Sequence, residues 1–205
     1  RAMRLFRKPA KWSALQQEIA SRHPVTEGGA FSLERVQAAL SDSAAILGWL
    51  DTYSSWGYVI RNRGPVTWAR LDSLPEGTAP VDPFQAARAF RRVLTDGGAA
   101  PTVVAHEARA IWRHRVRPLE SALRGVTDLV IVPYGAMAGI PVEALVDSSG
   151  AWLGDRYACS YTPSATIYTW LRERARDQER APSPRVLLVG DPPFNLAERD
   201  SMERE

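Results

Sequence analysis

The chain has 205 residues, 45% hydrophobic and 24% charged, the balance of a globular protein with enough length for a real core. Its formal net charge is only +3, and all but Lys8 and Lys11 of its 26 basic residues are arginine, a usage that fits a bacterial gene of high GC content. No basic stripe with interleaved aromatics occurs, so nucleic acid is not an expected partner.

The start, "RAMRLFRKPAKW", is basic but lacks an apolar core and a cleavage site, so it is not a secretory signal. It also lacks an initial Met, as a fragment or a processed product would. "SALQQEIASRH" has Leu15 and Ile19 one helical turn apart and predicts a helix ending near Pro24. Ser32 is placed to cap "LERVQAAL", where Leu33, Val36 and Leu40 share a face. The period then changes. "AAILGWLDTY", "WGYVIRN" and "PVTWARL" are aromatic and β-branched, with "NRGP" between the last two, and predict a small antiparallel meander. "DPFQAARAFRRVLTDGG" predicts a helix with Asp82 as cap, Pro83 in the first turn and Gly97-Gly98 at its end. "TVVAHEARAIWRHRVRPLESALRG" predicts a further helix, broken or kinked at Pro118.

From there the pattern is α/β. "DLVIVP" predicts a buried strand, "YGAMAGIP" a loop, "VEALVD" a short helical piece and "SSGAWLGD" a turn. "RYACSYTP" predicts a strand, and Thr162 with Pro163 the cap and first turn of a helix over "SATIYTWLRERARDQER". The linker "APSP" precedes a last strand, "RVLLVGD". No internal repeat and no low-complexity tract interrupts this order, and the fold class expected is α/β with a helical and β-rich N-terminal part.

Few residues offer chemistry. Cys159 is the one cysteine, so no intramolecular disulfide forms, and a reducing, cytoplasmic location is expected. Strand alternation puts Tyr157, Cys159 and Tyr161 on one face, a packing position and not the positive, open setting that a reactive thiolate needs. The histidines are His23, His106 and His114; "HEARA" starts like a zinc-protease helix, but Ala110 stands where the second ligand belongs, and no metal site is expected. His106 and His114 read as surface histidines. The motifs of the serine nucleophile elbow, the P-loop and the dinucleotide fold are all absent. "VGDPPF" is a poor phosphate cradle, because its two prolines carry no N–H, and Asp191 reads as a loop cap. No run of eighteen apolar residues occurs, so no membrane span is expected, and no cofactor is expected either.

The order of segments resembles the CHAT domain, a caspase-like peptidase family often joined to TPR helical repeats. "SLERVQAALSDSAAILGWLDTYSSWGYVIRNRGPVTWARL" resembles its opening. "RPLESALRGVTDLVIVPYGAMAGIPVEALVD" resembles its most recognisable block, with Pro133, Gly135, Ile140, Pro141, Ala144 and Leu145 in place. "WLGDRYACSYTPSATI" resembles the next, with Tyr157, Ser160, Tyr161, Pro163, Ser164 and Ala165. "RVLLVGDPPF" resembles the strand that begins the catalytic half. Tyr134 departs from the family's frequent Asp or Asn, and Met137-Ala138 from its aromatic or Leu-His pair.

The resemblance implies a cysteine endopeptidase with a His-Cys dyad, the His in a His-Gly pair after a later strand and the Cys after the next. Both are then expected beyond Glu205, which leaves this chain without catalytic residues of its own. Three segments are expected: a helix and linker over 1–30, the non-catalytic CHAT region over 31–181, and the first strand and loop of the catalytic half over 182–205. The resemblance implies a catalytic half, supplied by a second chain or a continuation, and a protein substrate as partners, with TPR-type repeats or a regulator beside them. By analogy with caspases, Asp191, Phe194, Asn195 and Arg199 border the substrate cleft, and Arg199 or Arg204 meets an acidic substrate side chain. The lone strand "RVLLV" must pair with another segment or chain, since alone it exposes an apolar edge. The alternative is a non-catalytic interaction or regulatory module of the same family; a nucleotide-binding α/β domain is a weaker third reading.

Overall fold

A computed structural model describes residues 29–72 and 82–179. Two compact units divide the chain, Arg1–Glu173 and Arg174–Glu205, and the packing below belongs to the first. The chain order is α1 (Leu33–Ala38), β1 (Ala44–Asp51), β2 (Ser55–Arg61), β3 (Thr67–Arg70), α2 (Pro83–Thr95), α3 (Pro101–Arg115), β4 (Asp128–Val132), β5 (Ala158–Tyr161) and α4 (Ala165–Glu179). Short 3-10 turns fill the joints, at Arg117–Leu123, Gly135–Met137, Val142–Ala144 and Leu153–Asp155.

The five strands among the described residues form one mixed sheet in the order β3-β2-β1-β4-β5. The expected meander is present: β1 pairs antiparallel with β2, and β2 with β3. It is not a separate part, however. β1 also pairs in parallel with β4, Ala45 opposite Leu129 and Leu47 opposite Ile131, and β4 pairs in parallel with β5. The α/β class holds, and the meander and the parallel strands share one core. β1 is central, which explains why "AAILGW" is apolar without alternation: six consecutive residues are buried, on both faces.

Ala45, Leu47 and Trp49 face the larger core with Leu129 and Ile131, under Ala87 and Phe90 of α2 and Ala108, Ile111 and Trp112 of α3. Ala44 and Ile46 face a smaller core with Val130, Val36 and Leu40, and Ala165 and Tyr168 of α4 pack on it. Toward β3 this second face opens, and Trp68 stands 51% exposed with its ring 5.2 Å from that of Tyr58. Gly48 is required under Tyr58, because a Cβ there would collide with the tyrosine ring.

The cap at Asp82 forms as expected, its Oδ1 accepting from the Phe84 N–H at 2.9 Å, and Ser32 caps α1 through the Arg35 N–H. Three expectations are corrected. Thr162 does not cap α4: Ser164 does, its Oγ accepting from the Ile167 N–H at 3.2 Å, while the buried Thr162 hydroxyl donates to the Ser164 carbonyl. The helix after Pro101 stops at Arg115, three residues before Pro118, and continues as a 3-10 turn, because Pro118 lacks the N–H that an α-helix would use. "VEALVD" is helical only over Val142–Ala144, and Val146 instead bridges to Trp152 across the turn at Gly150.

Candidate functional site at the carboxyl edge of β1

In parallel α/β sheets, ligands gather at the carboxyl ends of the strands. Here that edge holds a buried ion pair. Asp51 is the last residue of β1 and Arg115 the last of α3; their side chains are 3% and 4% exposed. Nη2 of Arg115 donates to both carboxylate oxygens, to Oδ1 at 2.8 Å and Oδ2 at 2.6 Å. The Ser55 hydroxyl donates to Oδ1 at 2.8 Å and the Ala136 N–H to Oδ2 at 2.9 Å. One carboxylate thus fastens the start of β2, the end of α3 and the turn after β4 to the end of β1. Burial alone would raise the Asp51 carboxyl, but the hydrogen bonds from Arg115 and Ala136, the Arg115 charge and the Ser55 hydroxyl hold it below its ordinary range.

Gly135 makes this approach possible. Its φ is +58, a left-handed conformation that favours glycine, and a Cβ there would strike the Asp51 carboxylate. The Trp49 indole N–H donates to the Arg115 carbonyl at 3.0 Å, so the strand holds the end of the helix as well as its side chain.

Beside the pair lies a cavity of about 110 Å³. Among the described residues, Pro83 and Ala86 of α2, Ala110, Ile111, His114 and Arg115 of α3, Ser55, Leu71, Asp72 and Met137 line it. Burial, then the neighbouring Arg113 and Arg115 charges, lower the His114 imidazole from its ordinary value, which keeps it neutral at neutral pH.

Cys159 is half-buried on β5 and packs against the larger core, on the same face as the buried Tyr157. Burial, with Glu143 nearby, pushes its thiol up to about 11. It is a poor nucleophile at neutral pH, as its strand position suggested. His106 is exposed on α3, and His114 lines the cavity; the surface reading holds for the first and is corrected for the second, half-buried against α2. Neither hydrogen-bonds to Cys159, which lines a different hollow with Asp128 and Tyr168. Tyr161 accepts from the Val142 N–H and donates to Glu143, and its hydroxyl is raised, by burial first. Asp147, 4% exposed, accepts from Ser149, Ala151 and Arg156 and closes the turn before β5.

Among the described residues no group of three or more His, Cys, Asp or Glu could hold a metal ion, and no helix is long and apolar enough to cross a membrane. His23, Asp191, Phe194, Asn195, Arg199, Arg204 and the strand "RVLLV" lie outside the described residues. The reading of the sequence missed the Asp51–Arg115 pair. Its one local signal was an acidic residue closing an apolar strand; Arg115, 64 positions away, was one arginine among many.

Residues 105–204 match the family model of the CHAT domain. That places the resemblance on the stretch running from α3 through β4 and β5 to α4 and beyond. No curated protein matches the chain. The CHAT match includes Arg115, Gly135 and Ala136 but not Asp51 or Ser55, so the ion pair joins the matched stretch to the strands that precede it.

Proposed function

We propose that this chain is the non-catalytic, N-terminal part of a CHAT-family cysteine endopeptidase and that it scaffolds a catalytic half carrying the His-Cys dyad. The observation that carries the reading is the CHAT match over residues 105–204. The chemistry of the chain supports placing the dyad elsewhere. Its only cysteine is a core-packed thiol raised to about 11, none of its histidines stands in a His-Gly pair, and no histidine follows His114. A peptidase cysteine needs a base within hydrogen-bond reach and donors for the oxyanion, and among the described residues no histidine is bonded to Cys159. Under this reading the partners are the catalytic half and a protein substrate, and Asp191, Phe194, Asn195 and Arg199 are the residues proposed to border the cleft, a role that rests on the caspase analogy alone.

The test compares the 205-residue chain with a longer polypeptide that contains it, on an unfolded protein substrate, with and without a thiol alkylator. The chain alone is expected to show no alkylator-sensitive hydrolysis, and Cys159→Ala is expected to leave cleavage by the longer polypeptide unchanged. Hydrolysis by the 205 residues that Cys159→Ala abolishes would overturn the proposal. A longer polypeptide without any thiol-dependent hydrolysis would favour the interaction module instead.

A further inference from the structure

The amino ends of β4 and β5 border a second and wider hollow, of about 720 Å³, which neither Asp51 nor Arg115 lines. Its wall takes Arg117, Glu120 and Ser121 from the 3-10 turn after α3, Arg124 from the end of that turn, and Arg156 and Tyr157 from the approach to β5. This hollow is lined by charge, three guanidiniums against one carboxylate. The carboxylate is already engaged: Arg156 Nη1 is shared between Asp147 at 2.9 Å and Glu120 at 3.5 Å. Arg117 and Arg124 are exposed, and among the described residues neither forms an ion pair. Arg61 backs the same segment. Its Nη1 donates to the carbonyls of Ala122 and Arg124 and its Nη2 to that of Asp42, three neutral acceptors that leave its charge unanswered. A concave surface with such an excess of one sign focuses its potential and draws the opposite charge.

We propose that this hollow is a docking surface for an acidic stretch of protein, whose carboxylates pair with Arg117 and Arg124 and compete with Glu120 for Arg156. Guanidinium groups suit that partner, because their fork of N–H donors matches a carboxylate with two parallel hydrogen bonds. Spacing decides for a chain over a small anion. Arg117 and Arg124 are seven positions apart. On a turn that rises about 2 Å per residue their backbones stand roughly 14 Å apart, farther than one carboxylate or phosphate group spans. Carboxylates on alternate residues of an extended peptide lie roughly 7 Å apart and cover that span within a few residues. The lack of a stacking platform decides for protein over single-stranded nucleic acid. The one aromatic ring in the wall, Tyr157, is 6% exposed, and the Arg156 guanidinium lies over it at 5.4 Å.

The experiment titrates the 205-residue chain into dye-labelled hexaglutamate and reads fluorescence anisotropy, with the same peptide carrying glutamine at every position as the neutral control. Hexaglutamate is expected to bind at low salt with a dissociation constant on the order of 100 µM, the scale of a few exposed ion pairs set against the immobilised peptide. Binding should weaken roughly tenfold in 0.5 M salt. The Arg117→Gln, Arg124→Gln double variant is expected to weaken it about tenfold with an unchanged thermal midpoint, since both side chains are exposed. Glu120→Gln should instead tighten it about two- to threefold, by removing the carboxylate that competes for Arg156. Arg88→Gln with Arg92→Gln, on α2 and outside the hollow, should change nothing. Equal binding of the neutral peptide, or an equal loss in the α2 variant, would overturn the surface. Weaker or unchanged binding in Glu120→Gln would overturn the part given to Arg156. Displacement of the peptide by inorganic phosphate beyond that by chloride of the same ionic strength would overturn the extended partner. Tighter binding of a thymidine hexanucleotide would overturn the choice of protein.

Discussion

Asp51→Asn preserves shape and removes one charge from the buried pair. The asparagine keeps a single carbonyl oxygen where the carboxylate accepts four hydrogen bonds, and its amide turns donors toward Arg115, Ser55 or Ala136, all of which donate. The Arg115 guanidinium, 4% exposed, is then left charged without a counterion. Breaking one partner of such a pair costs about 3–5 kcal/mol. For a chain of this size that lowers the thermal midpoint by roughly 6–20 °C, at about 2–4 °C per kcal/mol. Urea titration followed by circular dichroism measures the loss, and Arg115→Met with the double variant completes the cycle. Because the double variant buries no unpaired charge, it is expected to be more stable than the sum of the two single losses by about 1–3 kcal/mol. The pH dependence carries a sign. The Asp51 carboxyl lies below its ordinary value in the folded chain, so its contribution is complete above the unfolded value, about pH 4, and is lost as pH falls through the folded one. The difference in stability between the native chain and Asp51→Asn should therefore shrink on acidification below about pH 4. A loss under about 1 kcal/mol, or single effects that add within about 0.5 kcal/mol, would refute the claim that this pair joins the four segments.

Gly135→Ala should cost at least about 1–3 kcal/mol, since it combines left-handed backbone strain with a collision with Asp51, and in an Asp51→Gly background it should lose the collision and keep the backbone strain. Cys159 should resist alkylation at neutral pH and react along a titration centred near 11; a midpoint near the free-thiol value would show that the strand does not bury it as described. Ser164→Ala should lower stability by about 1 kcal/mol through the cap of α4, read by urea titration, and a larger loss from Thr162→Val would show that the buried hydroxyl matters more than the cap. Gly48→Ala should displace the Tyr58 ring, seen as a change in the near-ultraviolet signal of the Tyr58–Trp68 pair; an unchanged signal would mean that the ring does not rest on β1.

Local physics wrote much of this fold into the sequence. Asp82-Pro83 announces a helix start because a carboxylate and a residue without an N–H suit the first turn, and both sit there. "DLVIV" reads as a buried strand because it has no polar face to turn to water, and β4 lies between β1 and β5. Where the reading failed, the deciding partner was either a residue or two away or very far off. Thr162 and Ser164 both suit a cap, and only the bend at Pro163 selects Ser164. The single sheet was not legible because the pairing of Ala45 with Leu129 spans two helices and two strands. The candidate site was least legible of all. Asp51, Ser55, Arg115 and Ala136 share no spacing rule, and only the packing of α3 and the left-handed turn at Gly135 bring them to one carboxylate.

The geometry also bears on what the CHAT stretch is physically. Its match begins at residue 105, inside α3, which runs from Pro101 to Arg115. A helix is cooperative along its length, so that starting point is not a boundary at which the chain could part. β4 and β5 fall within the match, but β4's other neighbour, β1, does not. Without β1 the described residues of the matched stretch hold only the parallel pair β4–β5, with one side of β4 unpaired, and two strands by themselves are too few for a stable sheet. The larger core makes the same point, since Leu47, Trp49 and Val59 from outside the match pack with Leu129 and Ile131 inside it. The Asp51–Arg115 pair sits at this seam, one partner on each side, and in proteins generally a buried ion pair is often no more stabilising than well-packed apolar residues of similar volume. What an ion pair adds there is direction: a carboxylate that accepts four hydrogen bonds from three donors fits one arrangement of strand end, helix end and glycine turn, and so fixes how the matched stretch is seated against the strands that complete its sheet.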